Sequence, residues 1–247
     1  MKAFILAAGL GTRLRPWTLH HPKALVPVGG VPMLQRVMNR LNDEGFLEIT
    51  INVHHFGQQI LDYLKDNNLN NSVRVSDESS ELLDTGGAIA NAAPLLLKSE
   101  DPVLIHNVDI LSDAPLRDIM AQHISSGRDI SLVTSQRDST RQLVFDNNGS
   151  LQGWHNISTG EYKPSAFVMD PHWHYSAFSG IYVLSAKAVR EIADYGKRSQ
   201  KNKFPIMDYF LENPFKNNIG EIRLDKLKLI DIGKPDTLEK ADTIFCK

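Results

Sequence analysis

The densest chemistry in the sequence lies between residues 6 and 28. They read Leu6-Ala7-Ala8-Gly9-Leu10-Gly11-Thr12-Arg13-Leu14-Arg15-Pro16 and then Pro22-Lys23-Ala24-Leu25-Val26-Pro27-Val28. An apolar run at residues 3–7 breaks into a loop whose glycines, Gly9 and Gly11, let the backbone approach a ligand. Successive N–H groups in such a loop form an anion-binding concavity. Arg13, Arg15 and Lys23 set fixed positive charge beside it. A strand, a glycine turn and three cations suit a polyphosphate, because several phosphate charges must be met at once. The dinucleotide fingerprint G-x-G-x-x-G would require glycine at position 14, where Leu14 stands, and no Gly-Lys-Ser/Thr closes a P-loop. A surface turn with unconnected arginines is the plainer alternative, and the Lys23 segment weighs against it.

Two aspartates follow apolar strands. Asp109 comes after Val103-Leu104-Ile105 through His106-Asn107-Val108, and Asp231 sits in Leu229-Ile230-Asp231-Ile232-Gly233. Ligands bind beyond the C-terminal ends of strands in open α/β sheets, so both positions are candidates. Asp113 reads instead as the cap of a helix after Ala114-Pro115. The histidine pairs His20-His21 and His54-His55 lack the cysteine or carboxylate spacing of a zinc site.

The elements that must hold these residues alternate strand and helix. Residues 3–7, 49–53, 73–75, 103–105 and 130–133 read as strands, and residues 32–41, 60–64, 87–97 and 116–124 as helices, with Pro94 interrupting the third. Strict alternation predicts a mostly parallel sheet covered on both faces, the doubly wound α/β class. Residues 138–175 are polar and turn-rich, with a tight turn at Asn147-Asn148-Gly149, and predict a small β-rich insertion or lid. Residues 181–184, 186–195 and 235–244 then read as a strand, a helix and a closing helix, all in one domain spanning 1–247.

Composition narrows the class. Hydrophobic residues make up 42% of the chain and charged ones 23%, which excludes a mostly disordered protein. Twenty-seven Lys+Arg against 29 Asp+Glu give a formal charge of −2, so nothing global points to nucleic acid or an anionic membrane. Cys246 is the only cysteine, which excludes an intrachain disulfide. No apolar run has the length of a membrane span, and the amino terminus runs straight into the glycine loop, so the expectation is a cytoplasmic protein.

The run G-x-G-T-R-x-x-P followed by P-K-x-L-x-P-V resembles the signature of the sugar-1-phosphate nucleotidyltransferases. The resemblance implies a mixed, mainly parallel sheet flanked by helices. It also implies transfer of a nucleotidyl group from a nucleoside triphosphate to a sugar 1-phosphate, with release of pyrophosphate. By the same resemblance, Leu6, Ala7, Ala8 and Gly9 contact base and ribose, and Gly11, Thr12 and Arg13 hold the β- and γ-phosphates. Lys23 stands between the α-phosphate and the incoming sugar phosphate. Glu81 through Gly86 and Gly87 resembles the base-recognition segment, whose glycine N–H groups would face a flat ring. Asp109 and Asp231 match the carboxylates that hold Mg²⁺, although Val108 replaces a customary glycine. Gly180 and Asn107 match the sugar side, and Glu161 matches a Glu-Lys-Pro element that here carries one extra residue, Tyr162.

Arg13, Lys23 and Asp109 are therefore the expected catalytic residues, with Mg²⁺ as cofactor and UTP or dTTP as the favoured nucleotide. Among known members the chain is most similar to the N-acetylmuramate 1-phosphate uridylyltransferases. Guanylyl or cytidylyl transfer to mannose phosphate, heptose phosphate or phosphocholine stands as the alternative, as does a catalytically silent nucleotide-sugar sensor.

Overall fold

The computed structural model describes residues 1–69, 73–165, 167–212, 218–233, 237–238 and 240–241. In chain order the strands are β1 (Lys2–Leu6), β2 (Pro27–Val28), β3 (Val31–Pro32), β4 (Glu48–Val53), β5 (Val73–Asp77), β6 (Val103–Asn107) and β7 (Ile110–Ser112). They continue as β8 (Ile130–Ser135), β9 (Arg141–Phe145), β10 (Leu151–Asn156), β11 (Glu161–Lys163), β12 (His174–Leu184), β13 (Ile219–Arg223) and β14 (Leu229–Asp231). The helices are α1 (Met33–Asp43), α2 (Gly57–Asp66), α3 (Asp84–Leu96), α4 (Leu116–Ser126), α5 (Ala186–Ser199) and α6 (Ile206–Glu212).

Continuous apolar runs demand cover on both faces, and β1 has it. It pairs in parallel with β4 on one side and β6 on the other, and β5 extends the row beyond β4. Alternate side chains enter different cores. Ile5 packs with Leu34, Val37, Met38 and Leu41 of α1, and Phe4 packs with Ile89 of α3 and Val189 and Ile192 of α5. Burying one such side chain contributes roughly 1.5–3 kcal/mol. After β5 the chain crosses to the far side of β1 to form β6. The reversal therefore falls at the C-terminal ends of β1 and β6, where Leu6 stands in register with Asn107.

The mixed α/β sheet expected from the sequence is present, with the order β11-β10-β9-β12-β6-β1-β4-β5 and with β8 and β13 branching from β12. Residues 138–175 are β-rich as expected, yet their strands lengthen the main sheet instead of covering it. The first residues of β12, His174–Ser176, pair with β9, while Ile181–Leu184 pair with β6. Helix α3 also departs from expectation by running through Pro94. That residue is exposed, and the carbonyl it leaves without a helix partner belongs to half-exposed Ala90. The expected closing helix at 235–244 lies mostly outside the described residues. Among those residues no helix is long and apolar enough to cross a membrane.

Candidate active site

Gly11 opens the glycine loop into a short 3-10 turn, Thr12–Leu14, with φ of +60° and its carbonyl accepting from Leu14 N at 2.8 Å and Thr18 Oγ1 at 2.9 Å. A Cβ on Gly11 would stand 2.9 Å from Lys23 Cβ, so the bare glycine lets Lys23 pack directly against the loop. Gly9 differs, because a Cβ there would meet no protein atom within 4 Å and would project into open space. The preceding amides are not open. Asn52 Oδ1, at the end of β4, accepts from Ala7 N at 2.6 Å and Ala8 N at 3.3 Å. A buried strand end must satisfy its N–H groups, and this one does so internally.

Opposite charges gather beyond this loop. Lys23 forms an ion pair with Asp109, both largely shielded at 13% and 17% side-chain exposure. The antiparallel pair β7–β14 sets Asp231 beside Ile110, and Ile232 N donates to Asp109 O at 2.8 Å. Gly233 makes room for Arg13, since a Cβ there would lie 2.5 Å from Arg13 Nη2 and 2.8 Å from Asp231 Oδ1. The partly shielded Asp231 carboxyl is pushed above the usual range, first by loss of water and then by the Asp109 charge, with Lys23 and Arg13 opposing. Arg13, Lys23, Asp109 and Asp231 thus form one constellation. Among the described residues no cluster of three His, Cys, Asp or Glu side chains competes with the two carboxylates for a metal.

Arg13, Lys23 and Asp109 line a cleft of about 400 Å³ whose walls also include Leu6, Gly9, Gly11, Thr12 and Asn107, while Asp231 lies next to Asp109 outside that lining. The deep wall is one the sequence reading missed. Asn52 Nδ2 donates to Glu78 Oε1 at 2.7 Å, and Glu78 Oε2 accepts from Leu83 N at 3.4 Å. Both side chains border the cleft, and burial raises the pKa of Glu78. Only the polar Asn52 breaking the apolar strand Ile51-Asn52-Val53 could have signalled it.

Several expected site residues lie elsewhere. Gly86 N and Gly87 N donate to Phe204 O at 2.9 and 3.2 Å, and neither glycine is part of the cleft lining. Their missing side chains admit the Phe204 ring and the Asn202 carbonyl, so the glycines serve close packing of α3. Glu81 is exposed, and Asp84 and Thr85 line the cleft in its place. Glu161 sits on edge strand β11, 3.8 Å from Lys163, away from the cleft lining. Gly180, with φ of +78°, acts indirectly: a Cβ there would stand 2.9 Å from Asn107 Nδ2. Val108, in place of the customary glycine, is buried at 3% exposure and packs with the apolar core, and it also forms part of the cleft wall. Asp113 caps no helix; it accepts from Lys228 N at 2.9 Å.

With this geometry described, comparison with known proteins places the chain among relatives. The family described as Nucleotidyl transferase matches residues 2–246. A mannose-1-phosphate guanyltransferase of Schizosaccharomyces pombe is 30% identical over 215 residues, covering 84% of this chain and 56% of that one. Mannose-1-phosphate guanylyltransferase 1 of Arabidopsis thaliana is 28% identical over 211 residues, 83% of this chain and 55% of its own. The chain therefore spans a little over half the length of these curated relatives. Among solved structures, HddC from Yersinia pseudotuberculosis complexed with GMP-PN superposes with a TM-score of 0.76 at 26% identity, covering 99% of both chains. A thymidylyltransferase-like structure from Bacillus anthracis, at 17% identity and a TM-score of 0.78, shares the fold.

Proposed function

The chain belongs to the nucleotidyl transferase family, and from that premise we propose that it joins a nucleoside triphosphate to a sugar 1-phosphate. What carries the reading is that Arg13, Lys23 and Asp109 line one cleft at the sheet's C-terminal edge, with Asp231 next to Asp109. A phosphate oxygen of the sugar monoester attacks the α-phosphorus in line. The new O–P bond forms as the bond to the bridging oxygen breaks, and pyrophosphate departs. The monoester is already ionised near neutral pH, so no general base is required. Lys23 reduces repulsion between the two phosphates as they close, and Arg13 neutralises the leaving pyrophosphate. Substrate phosphates draw Lys23 off Asp109, which frees that carboxylate for a metal.

Magnesium suits the donor set, because Asp109 and Asp231 offer hard carboxylate oxygens; bound there, Mg²⁺ would supply positive charge to the phosphate oxygens. For the base, the motifs favour UTP or dTTP, as in the muramate uridylyltransferases. A specific observation supports guanine as a second reading: the Glu78 carboxylate borders the cleft, and guanine offers it two adjacent donors where uracil offers one. The guanylyltransferase names of the relatives lean the same way. A cytoplasmic setting follows from the use of nucleoside triphosphates.

The test is a matrix of UTP, dTTP, GTP and CTP against mannose, glucose and N-acetylmuramate 1-phosphates and phosphocholine, read by pyrophosphate release. Turnover in one column identifies the base, and nucleotide binding without release in any cell would establish the sensor instead. Asp109→Asn should lower kcat by about 100-fold or more while the far-UV spectrum stays unchanged. Near-normal turnover in Mg²⁺ would remove Asp109 from the metal site.

A further inference from the structure

Strand β4 sets Asn52 between Ile51 and Val53, and a buried amide is costly unless its oxygen and nitrogen are both bonded. Asn52 is buried and bonds at both ends of its side chain. The β1–β4 ladder pairs residues as far as Ile5 with Ile51. Beyond that point the chain leaves the sheet for the glycine loop, and Asn52 Oδ1 replaces the ladder by accepting from Ala7 N and Ala8 N. Asn52 Nδ2 donates the other way, to Glu78 Oε1.

Glu78 carries the link onward. Its backbone is pinned to the end of β4, with Glu78 N donating to Val53 O at 2.9 Å and its carbonyl 2.6 Å from His54 Nδ1. Its second carboxylate oxygen accepts from Leu83 N, just before α3. One run of hydrogen bonds therefore joins Ala7 and Ala8 through Asn52 and Glu78 to Leu83. Asn52 and Glu78 line the cleft, and so do the segments the run connects: Ala8 and Gly9 at one end, Leu82, Asp84 and Thr85 at the other.

We propose that Asn52 is a positioning residue for the nucleotide: with Glu78 it fixes the spacing between the glycine loop and the 82–85 wall, and so the slot that takes the nucleoside. The inference rests on the nucleotidyl-transfer reading above. Arg13 and Lys23 attract the phosphates, whereas the carboxylates of Glu78 and Asp84 repel them, so the nucleoside end is directed to the 82–85 wall. Two apolar side chains could fill the same volume with less desolvation cost; the hydrogen-bonded pair adds a fixed distance and direction. Rigid placement of this kind matters because a misplacement of about 1 Å can cost on the order of 100-fold in rate. If the base is guanine, Glu78 is the group that Asn52 holds in place.

Asn52→Asp keeps the acceptor for Ala7 N and Ala8 N but loses the donor to Glu78, so it cuts the run at one bond. Asn52→Leu keeps the volume and cuts both. Binding of UTP, dTTP, GTP and CTP, and of inorganic tripolyphosphate as a probe of the phosphate end alone, would be measured by calorimetry at pH 8.5 in magnesium. The expected result for Asn52→Asp is a Kd raised tenfold or more for the nucleotide that wild type prefers, with tripolyphosphate within twofold of wild type. Asn52→Leu, which also releases the glycine loop, should weaken both ligands. A nucleotide Kd within twofold of wild type in Asn52→Asp overturns the proposal. So does an equal loss of nucleotide and tripolyphosphate in that variant, which would place the effect at the phosphate end. If Asn52→Asp does not fold, Asn52→Leu decides alone, and an unmoved nucleotide Kd overturns the assignment. Wild-type protein that binds a nucleotide yet releases no pyrophosphate with any acceptor would overturn nucleotidyl transfer itself, and the variants' Kd values would still judge Asn52.

Discussion

At the scale of single residues, the two loop glycines look alike in sequence and differ in the fold. A methyl group on Gly9 meets open cleft, whereas one on Gly11 meets Lys23 and Thr18 at a positive φ. Gly9→Ala should therefore fold with wild-type stability yet raise the nucleotide KM about tenfold, because the methyl occupies space a bound triphosphate would need. Gly11→Ala should instead lose about 1–3 kcal/mol in urea denaturation. Unchanged nucleotide affinity in Gly9→Ala would mean that the ligand lies elsewhere. The cations and carboxylates were legible because they follow strand ends in recognisable runs. Asn52 and Glu78 were not, because their role comes from satisfying amides and carboxylate oxygens across strands far apart in sequence.

At the scale of elements, α3 begins with Asp84 and Thr85 on the cleft wall, and the two glycines after them pack against a loop. Gly86 N and Gly87 N share the Phe204 carbonyl, and Thr85 Oγ1 accepts from Ile206 N at 2.9 Å. A Cβ on Gly86 would fall 2.3 Å from the Phe204 ring. Gly86→Ala should cost about 1–3 kcal/mol, and its combination with Phe204→Leu should cost less than the sum of the two single changes. Strict additivity in urea denaturation would contradict that packing. The Thr-Gly-Gly run reads as a ligand loop in sequence because small residues serve either purpose, and only the partner 118 residues away at Phe204 decides between them. The parallel strands and the α1 stripe were legible from periodicity alone. The joining of residues 138–175 to the main sheet was not, since it depends on how far β12 extends.

At the scale of the whole molecule, two buried histidines make stability sensitive to acid. Burial holds His106 and His123 at pKa values of about 4, against about 6.5 in an unfolded chain. The unfolded state then takes up protons first, so this stability is complete above pH 6.5 and is lost as pH falls toward 4. For fully buried His106 the loss by pH 5 is about 2 kcal/mol. Urea unfolding at pH 7.5 and 5.0 should show it, and His106→Gln should flatten the slope; equal slopes in both proteins would contradict the assignment. Strand β12 sets another property of the whole. It pairs with β9 at one end and with β6 and β8 at the other, with its single kink at Gly180 touching Asn107. The strand is a common spar shared by the outer wing and the central sheet, and its one register irregularity lies against the Asn107 amide on the cleft wall, so a change of tilt in the wing is coupled through that joint to the cleft.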